Sequence, residues 1–203
     1  MKDSGYGHLK VVMAAVAGAV IALLAAVLVD PKPWLLESSA GQRMLQAFLD
    51  WRAPVVPGAH RVREGDTVRD LSLFTLDGKP AGLDAHLGKG FTVVNLWATW
   101  CGPCLKELPA LEAFANRRPN AKLIAIGMDE HAAVKDFLSR RPSKIPQLLA
   151  AEPPAFTPGQ LGNPAGVLPY SVLLDAKGRV IARRTGVFHS AEDITRWVES
   201  ATR

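Results

Sequence analysis

Cysteine is nearly absent: the 203 residues hold two, Cys101 and Cys104, with two residues between them. A bridge across so short a loop stabilises little, because the chain-entropy benefit grows with loop length, so a stapled scaffold is set aside. A closed zinc site lacks its four ligands, since the histidines (His8, His60, His86, His131, His189) stand at no finger-like spacing from the pair. No glycine-rich phosphate loop, internal repeat or low-complexity tract occurs. The net charge of +5 comes partly from basic pairs at Arg117-Arg118, Arg140-Arg141 and Arg183-Arg184. These are scattered and not interleaved with aromatics, which reads as solvated surface rather than a nucleic-acid face. An anionic membrane surface or an acidic partner protein fits the charge equally well. At 48% hydrophobic the chain can bury a core unaided, and its length suits one globular domain with additions.

Charge is missing altogether from residues 11–29, "VVMAAVAGAVIALLAAVLV". At about 1.5 Å per residue such a helix is about 28 Å long, close to the roughly 30 Å of a bilayer's hydrocarbon core. A cleavable signal peptide is the rival reading, but its apolar core spans only about 7–15 residues, and no clean small-x-small site follows this run. An uncleaved anchor is therefore expected. Lys2, Lys10 and the terminal amine precede it, while Lys32 and Arg43 follow, a slight lean towards a cytoplasmic N-terminus.

After "DPKPW", whose prolines stop the helix, residues 35–51 read as a short helix with Leu36, Ala40, Met44, Leu45 and Phe48 near one face. It lies along a membrane or packs on the globular domain. Pro54 and Pro57-Gly58 read as linker. The organisation expected is a tail and transmembrane anchor over 1–30, a linker with an amphipathic helix over 31–64, and a compact domain over 65–203.

Within that domain "LSLFTLDGKP" reads as a hairpin around Asp77-Gly78. "FTVVNLW" is a near-continuous apolar run suited to a strand buried on both faces, and "KLIAIGM" a second. Helices are expected over 101–118 and 131–140. Residues 142–169 are rich in proline and glycine, with "KIPQLLA" able to hold a short strand. "YSVLLD" and "RVIARR" form an antiparallel pair, and a last helix is capped by Ser190, with Asp193 in a capping-box-like position. This alternation implies an α/β domain around a mixed sheet.

The strand–helix order places Cys101 at a helix N-terminus, where partial positive charge and free N–H groups lower a thiol's pKa. Cys101 is then the attacking nucleophile. Cys104, one turn later and more buried, resolves the mixed disulfide. Gly102 lets a substrate backbone approach, Pro103 fits the first turn, and Pro109 should kink the helix. A two-thiolate copper(I) site stays open beside this redox reading.

"VVNLWATWCGPCLKELPAL", with "GDTVRDLSLFTLDGKP", "LIAIGMDE" and "LPYSVLLDAKGRVIARRTG", resembles the thioredoxin superfamily, and within it the membrane-anchored TlpA-like (redoxin-type) thiol–disulfide oxidoreductases of the bacterial periplasm. The resemblance covers roughly residues 65–200. It implies a thioredoxin-like fold, a central mixed sheet flanked by helices, and a single-pass inner-membrane anchor. It implies that Pro169 is a cis-proline facing the cysteines at a substrate-binding edge, flanked here by Leu168 and Tyr170, which depart from the usual neighbours. It places Asn95 where cytoplasmic thioredoxins keep a buried aspartate, and Glu107 at the glutamate of the CxxCxxExP pattern, a candidate proton relay with a solvated helix glutamate as the alternative. Trp97 packs around the site, and Trp100 covers the disulfide and meets partners.

Together these residues read as a thiol–disulfide oxidoreductase with Cys101, Cys104, Pro169 and Glu107 as catalytic residues. Trp100, Gly102, Pro103, Leu168 and Tyr170 bind substrate, and no cofactor or metal is required. Reduction is the expected direction, because CGPC is the thioredoxin motif and thioredoxin sits at about −270 mV. The resemblance implies disulfide-containing periplasmic partners in cytochrome c or cytochrome oxidase maturation; an oxidising compartment then needs a membrane electron donor to keep the pair reduced, and the scattered basic pairs leave no nucleic-acid partner expected. The alternatives are a copper(I) metallochaperone using the two thiolates with His189, and a disulfide oxidase or isomerase for folding.

Overall fold

The computed structural model describes residues 13, 18, 38–53, 61–68, 71–117, 122–153 and 155–203. The expected membrane span, residues 11–29, falls outside these except for Met13 and Gly18. Among the described residues no helix is long and apolar enough to cross a membrane. The chain divides into two compact units, Met1–Gly41 and Gln42–Arg203.

The second unit, which takes in all the elements below apart from the first three residues of α1, is built on one seven-stranded sheet. In chain order come helix α1 (Ser39–Arg52), strands β1 (Leu73–Phe74), β2 (Pro80–Ala81) and β3 (Thr92–Trp97), and helix α2 (Gly102–Arg117). Next are β4 (Lys122–Gly127), α3 (His131–Arg140), β5 (Gln147–Ala150), β6 (Tyr170–Leu174), β7 (Val180–Thr185) and α4 (Ala191–Ala201). The spatial order is β2-β1-β5-β4-β3-β6-β7. β3, β4 and β5 run parallel, with antiparallel neighbours on either side. This is the mixed α/β architecture that the alternation of elements implied.

Burial explains the order. Every residue of β3 is buried, so it takes the interior of the sheet, with the almost equally buried β4 and β6 beside it. Alternate residues face two separate cores. Val93, Trp97, Leu123, Ala125, Leu149 and Leu173 pack under the helices. Val94, Leu96, Ile124, Ile126, Leu148 and Val172 pack on the other side, against segments outside the helices. Gly127 permits close approach of α3: a Cβ there would lie 2.9 Å from a Val134 methyl.

α2 continues through Pro109 to Arg117 as one helix. α4 is capped by Ser190, whose hydroxyl accepts from the Asp193 amide at 3.2 Å. Ser190→Ala is expected to cost about 1 kcal/mol, read as a lower urea midpoint with unchanged slope.

One expectation needs correction. Arg183 and Arg184 are not solvated: their side chains are 8% and 3% exposed. Neighbours on a strand point to opposite faces, so Arg183 pairs with Asp50 of α1 at 3.2 Å and Arg184 with Asp193 of α4 at 3.0 Å. Buried charges persist only when paired in this way. Within 142–169 the short strand that "KIPQLLA" is able to hold is present as β5. The segment also holds a 3₁₀ turn, Pro158–Leu161, closed by a capping box between Thr157 and Gln160.

Candidate active site

The chain leaves β3 at Trp97, turns at residues 98–101 and enters α2. The turn is tied down by Asp129 after β4, whose Oδ2 accepts from the Thr99 amide at 2.9 Å and from the Thr99 hydroxyl. Cys101 and Cys104 are joined as a disulfide. The Cys104 amide points at the Cys101 Sγ, 3.3 Å away, and the Leu105 amide donates to the Cys101 carbonyl. A Cys101 thiolate formed on reduction therefore meets a helix N-terminus with an N–H already aimed at it, which favours the charged form. Cys101 is 4% exposed and Cys104 not at all, so Cys101 is the sulfur of the pair that solvent reaches.

The surroundings differ on the two sides. Outward, Trp100 is 70% exposed, and Gly102 and Pro103 are also at the surface. A cleft of about 260 Å³ adjoins Trp100 and is lined by Met128, Asp129, Pro153, Phe156 and Leu168 among others. The Leu168–Pro169 peptide is cis. Asn163 pins the approach to it, its side-chain amide bonding both the carbonyl and the amide of Val167. Gly186 anchors the far side by donating to the Pro169 carbonyl at 3.0 Å.

Inward, Glu107 is 1% exposed, so the solvated-glutamate alternative does not hold. It lies one helical turn past Cys104, on the same side of α2. Its Oε1 accepts from Asn95 Nδ2 at 2.8 Å and its Oε2 from the Phe188 amide at 2.9 Å. Burial pushes its pKa up from 4.5 to about 7, overriding those two hydrogen bonds and the nearby Arg184 cation, which pull it down. Asn95 also donates to the Ser171 hydroxyl, its antiparallel partner on β6. The Phe188 amide is held in turn by Arg184, which lies over the Phe188 ring, donates to the Val187 carbonyl and pairs with Asp193.

Tyr170 does not belong at a substrate surface. It is wholly buried in the core on the far side of the sheet, and its hydroxyl donates to the Leu161 carbonyl at 2.9 Å. That burial also drives its phenol pKa upward. The period-two alternation of β6 is the cause: Ser171 faces Asn95 and α2, so Tyr170 faces away. Trp97 packs inward, its indole N–H donating to Gln147 Oε1 at 3.1 Å. Ser171, Asn163, Arg184 and the Phe188 amide carry no motif. Only the Ser190–Asp193 capping spacing hinted that the chain before α4 was fixed.

A Redoxin family model matches residues 63–196 of the chain. Thiol-disulfide oxidoreductase ResA of Bacillus thuringiensis (strain Al Hakam) is 34% identical over 155 residues, which is 75% of this chain and 83% of that protein. Sporulation thiol-disulfide oxidoreductase A of Bacillus subtilis (strain 168) is 28% identical over 166 residues, 77% of this chain and 93% of that one. Among solved structures, a thioredoxin-related protein from Neisseria meningitidis serogroup B is similar at 28% identity with a TM-score of 0.55, covering 64% of this chain and 98% of its own.

Proposed function

Because the chain belongs to the Redoxin family, as a TlpA-like thiol–disulfide oxidoreductase of the thioredoxin superfamily, we propose that it reduces disulfides in partner proteins of the bacterial periplasm, held there by an inner-membrane anchor at residues 11–29. The observation that carries this reading is the Cys101–Cys104 pair, set at a helix N-terminus beside an exposed indole and backed by a buried carboxyl.

The exchange runs in two displacements. The Cys101 thiolate attacks one sulfur of the substrate disulfide, forming a mixed disulfide and releasing the other substrate sulfur as a thiolate, which takes a proton. Cys104 then loses its proton and attacks the Cys101 sulfur. The substrate leaves with its second thiol, and the protein holds the Cys101–Cys104 disulfide. Near pH 7 Glu107 is populated in both protonation states; its carboxylate form accepts the Cys104 proton, becomes the neutral acid and then passes that proton outward. Two electrons and two protons from a thiol-type membrane donor restore the dithiol.

Trp100, Gly102, Pro103 and Leu168 form the rim that a substrate segment crosses, with Pro169 at its floor. The cleft bounded by Pro153 and Phe156 extends this rim, so residues 142–164 serve recognition. Apoproteins of cytochrome c or of the cytochrome oxidase copper centre, whose cysteines must be reduced before haem or metal arrives, are the substrates this reading favours.

The test is the reduction potential of the Cys101–Cys104 couple, measured against graded glutathione and dithiothreitol buffers. A value near or below about −270 mV is expected. A value towards about −120 mV, among strong oxidants, would reverse the direction and make the protein a disulfide donor in folding.

A further inference from the structure

α1 is amphipathic in an inverted sense. Its polar side holds the sheet edge: Gln42 exchanges two hydrogen bonds with the Thr185 backbone, at 3.0 and 3.1 Å. Gln46 donates to the Thr185 hydroxyl at 2.8 Å, and Asp50 pairs with Arg183 at 3.2 Å. Gln42, Gln46 and Asp50 recur every fourth residue and so share one face. Another side presents Met44, Phe48 and Trp51, at 76%, 49% and 80% exposure. The Phe48 and Trp51 rings stand 6.2 Å apart, and the Arg52 guanidinium lies 5.7 Å over Phe48. Arg43, next to Met44, is exposed as well.

A helix stabilised only by packing on its own domain turns its large apolar residues inward. Here glutamines and an aspartate take the inward positions, and the apolar stripe is left for something else. Aromatic and thioether side chains bordered by arginines, with the one acidic residue of the helix engaged by Arg183, match a lipid headgroup layer carrying negative charge. Chain length permits it. The apolar run ends at Val29 and α1 begins at Ser39, so the connecting chain reaches at most about 35 Å.

We propose that α1 lies in the interface of an anionic bilayer, with Met44, Phe48 and Trp51 among the upper acyl carbons and Arg43 and Arg52 on the phosphates. The proposal rests on reading residues 11–29 as the anchor. It makes α1 a bracket: lipid grips one side, and β7 is bonded to the other. Since β7 pairs with β6, which starts directly after Pro169, the bracket gives the catalytic edge a fixed orientation to the membrane.

The full chain is reconstituted in phosphatidylcholine–phosphatidylglycerol vesicles whose acyl chains carry bromine. Trp51 emission is read as wild type minus Trp51→Tyr. Quenching of that component by about half or more, relative to unbrominated vesicles, is the expected result. Replacing phosphatidylglycerol by phosphatidylcholine should weaken it, as should Arg43→Gln/Arg52→Gln. An unquenched Trp51 component overturns the proposal, as does concentration-dependent dimerisation that buries Trp51 in a second copy. Flotation after carbonate washing reports on the anchor separately. Chain that floats with Trp51 unquenched keeps the anchor and sinks the bracket. Chain that washes off at high pH, yet shows quenching at neutral pH that Met44→Ser/Phe48→Ser abolishes, keeps the bracket and sinks the anchor.

Discussion

Cys101→Ser is expected to lower disulfide reduction to the uncatalysed background, a loss of at least about 10³-fold. Cys104→Ser should instead accumulate as a covalent complex with its partner. The asymmetry comes from geometry. Cys101 has the only residual exposure of the pair and receives the Cys104 amide, so it alone can be both ionised and reached by an outside disulfide. Cys104 is sealed in the core and can attack only a sulfur already attached to Cys101. Non-reducing electrophoresis of the two variants mixed with a disulfide-bearing protein decides it. Equal trapping by both, or turnover surviving in Cys101→Ser, would remove the assignment of nucleophile and resolver.

The second large effect concerns Glu107. Its carboxyl titrates near 4.5 when the chain is unfolded and at about 7 in the fold, because burial penalises the anion. Between those values the folded state binds more protons than the unfolded one, so stability falls as pH rises. The contribution is fully present below about pH 4.5 and is gone above about 7. The shift of about 2.5 units corresponds to about 3 kcal/mol. Glu107→Gln cannot titrate. Urea unfolding of the disulfide form at pH 4.5 and pH 8 should therefore show wild type losing about 3 kcal/mol more than the variant across that window. Whatever the amide costs by facing the Phe188 N–H or Asn95 enters at both pH values and cancels. In catalysis, the same substitution should slow the Cys104 attack by about 10²-fold and erase the inflection near pH 7. An inflection that persists in the variant belongs to another group, and the relay through Glu107 falls.

The cysteine pair and Glu107 also mark the limits of what the sequence exposes. The CGPC motif between an apolar strand and a helix is legible because each part is local: six consecutive buried positions in β3, then two thiols one turn apart. Glu107 is different. As a residue type at a helical spacing it reads equally as a solvated surface group. What buries it is α2 packing on β3, and what binds it is the amide of Phe188, 81 residues away. A backbone N–H has no signature in the sequence. Arg184, which positions that amide, sits in a basic pair that reads as surface until strand alternation sends the two guanidiniums to opposite faces. The same alternation buries Tyr170 in the core on the far side of the sheet although it adjoins Pro169.

By itself, then, the sequence determined the elements and the chemistry: an α/β alternation, a dithiol at a helix start and a proline before β6. These depend on periodicity and on neighbours a few residues apart, which a linear chain records directly. The tertiary structure alone decided which charges are buried, which way α1 turns its apolar stripe, and that Glu107 is held in the core with a pKa near neutrality. Each of those depends on low-dielectric enclosure by segments far apart in the chain, and enclosure exists only once the sheet has assembled.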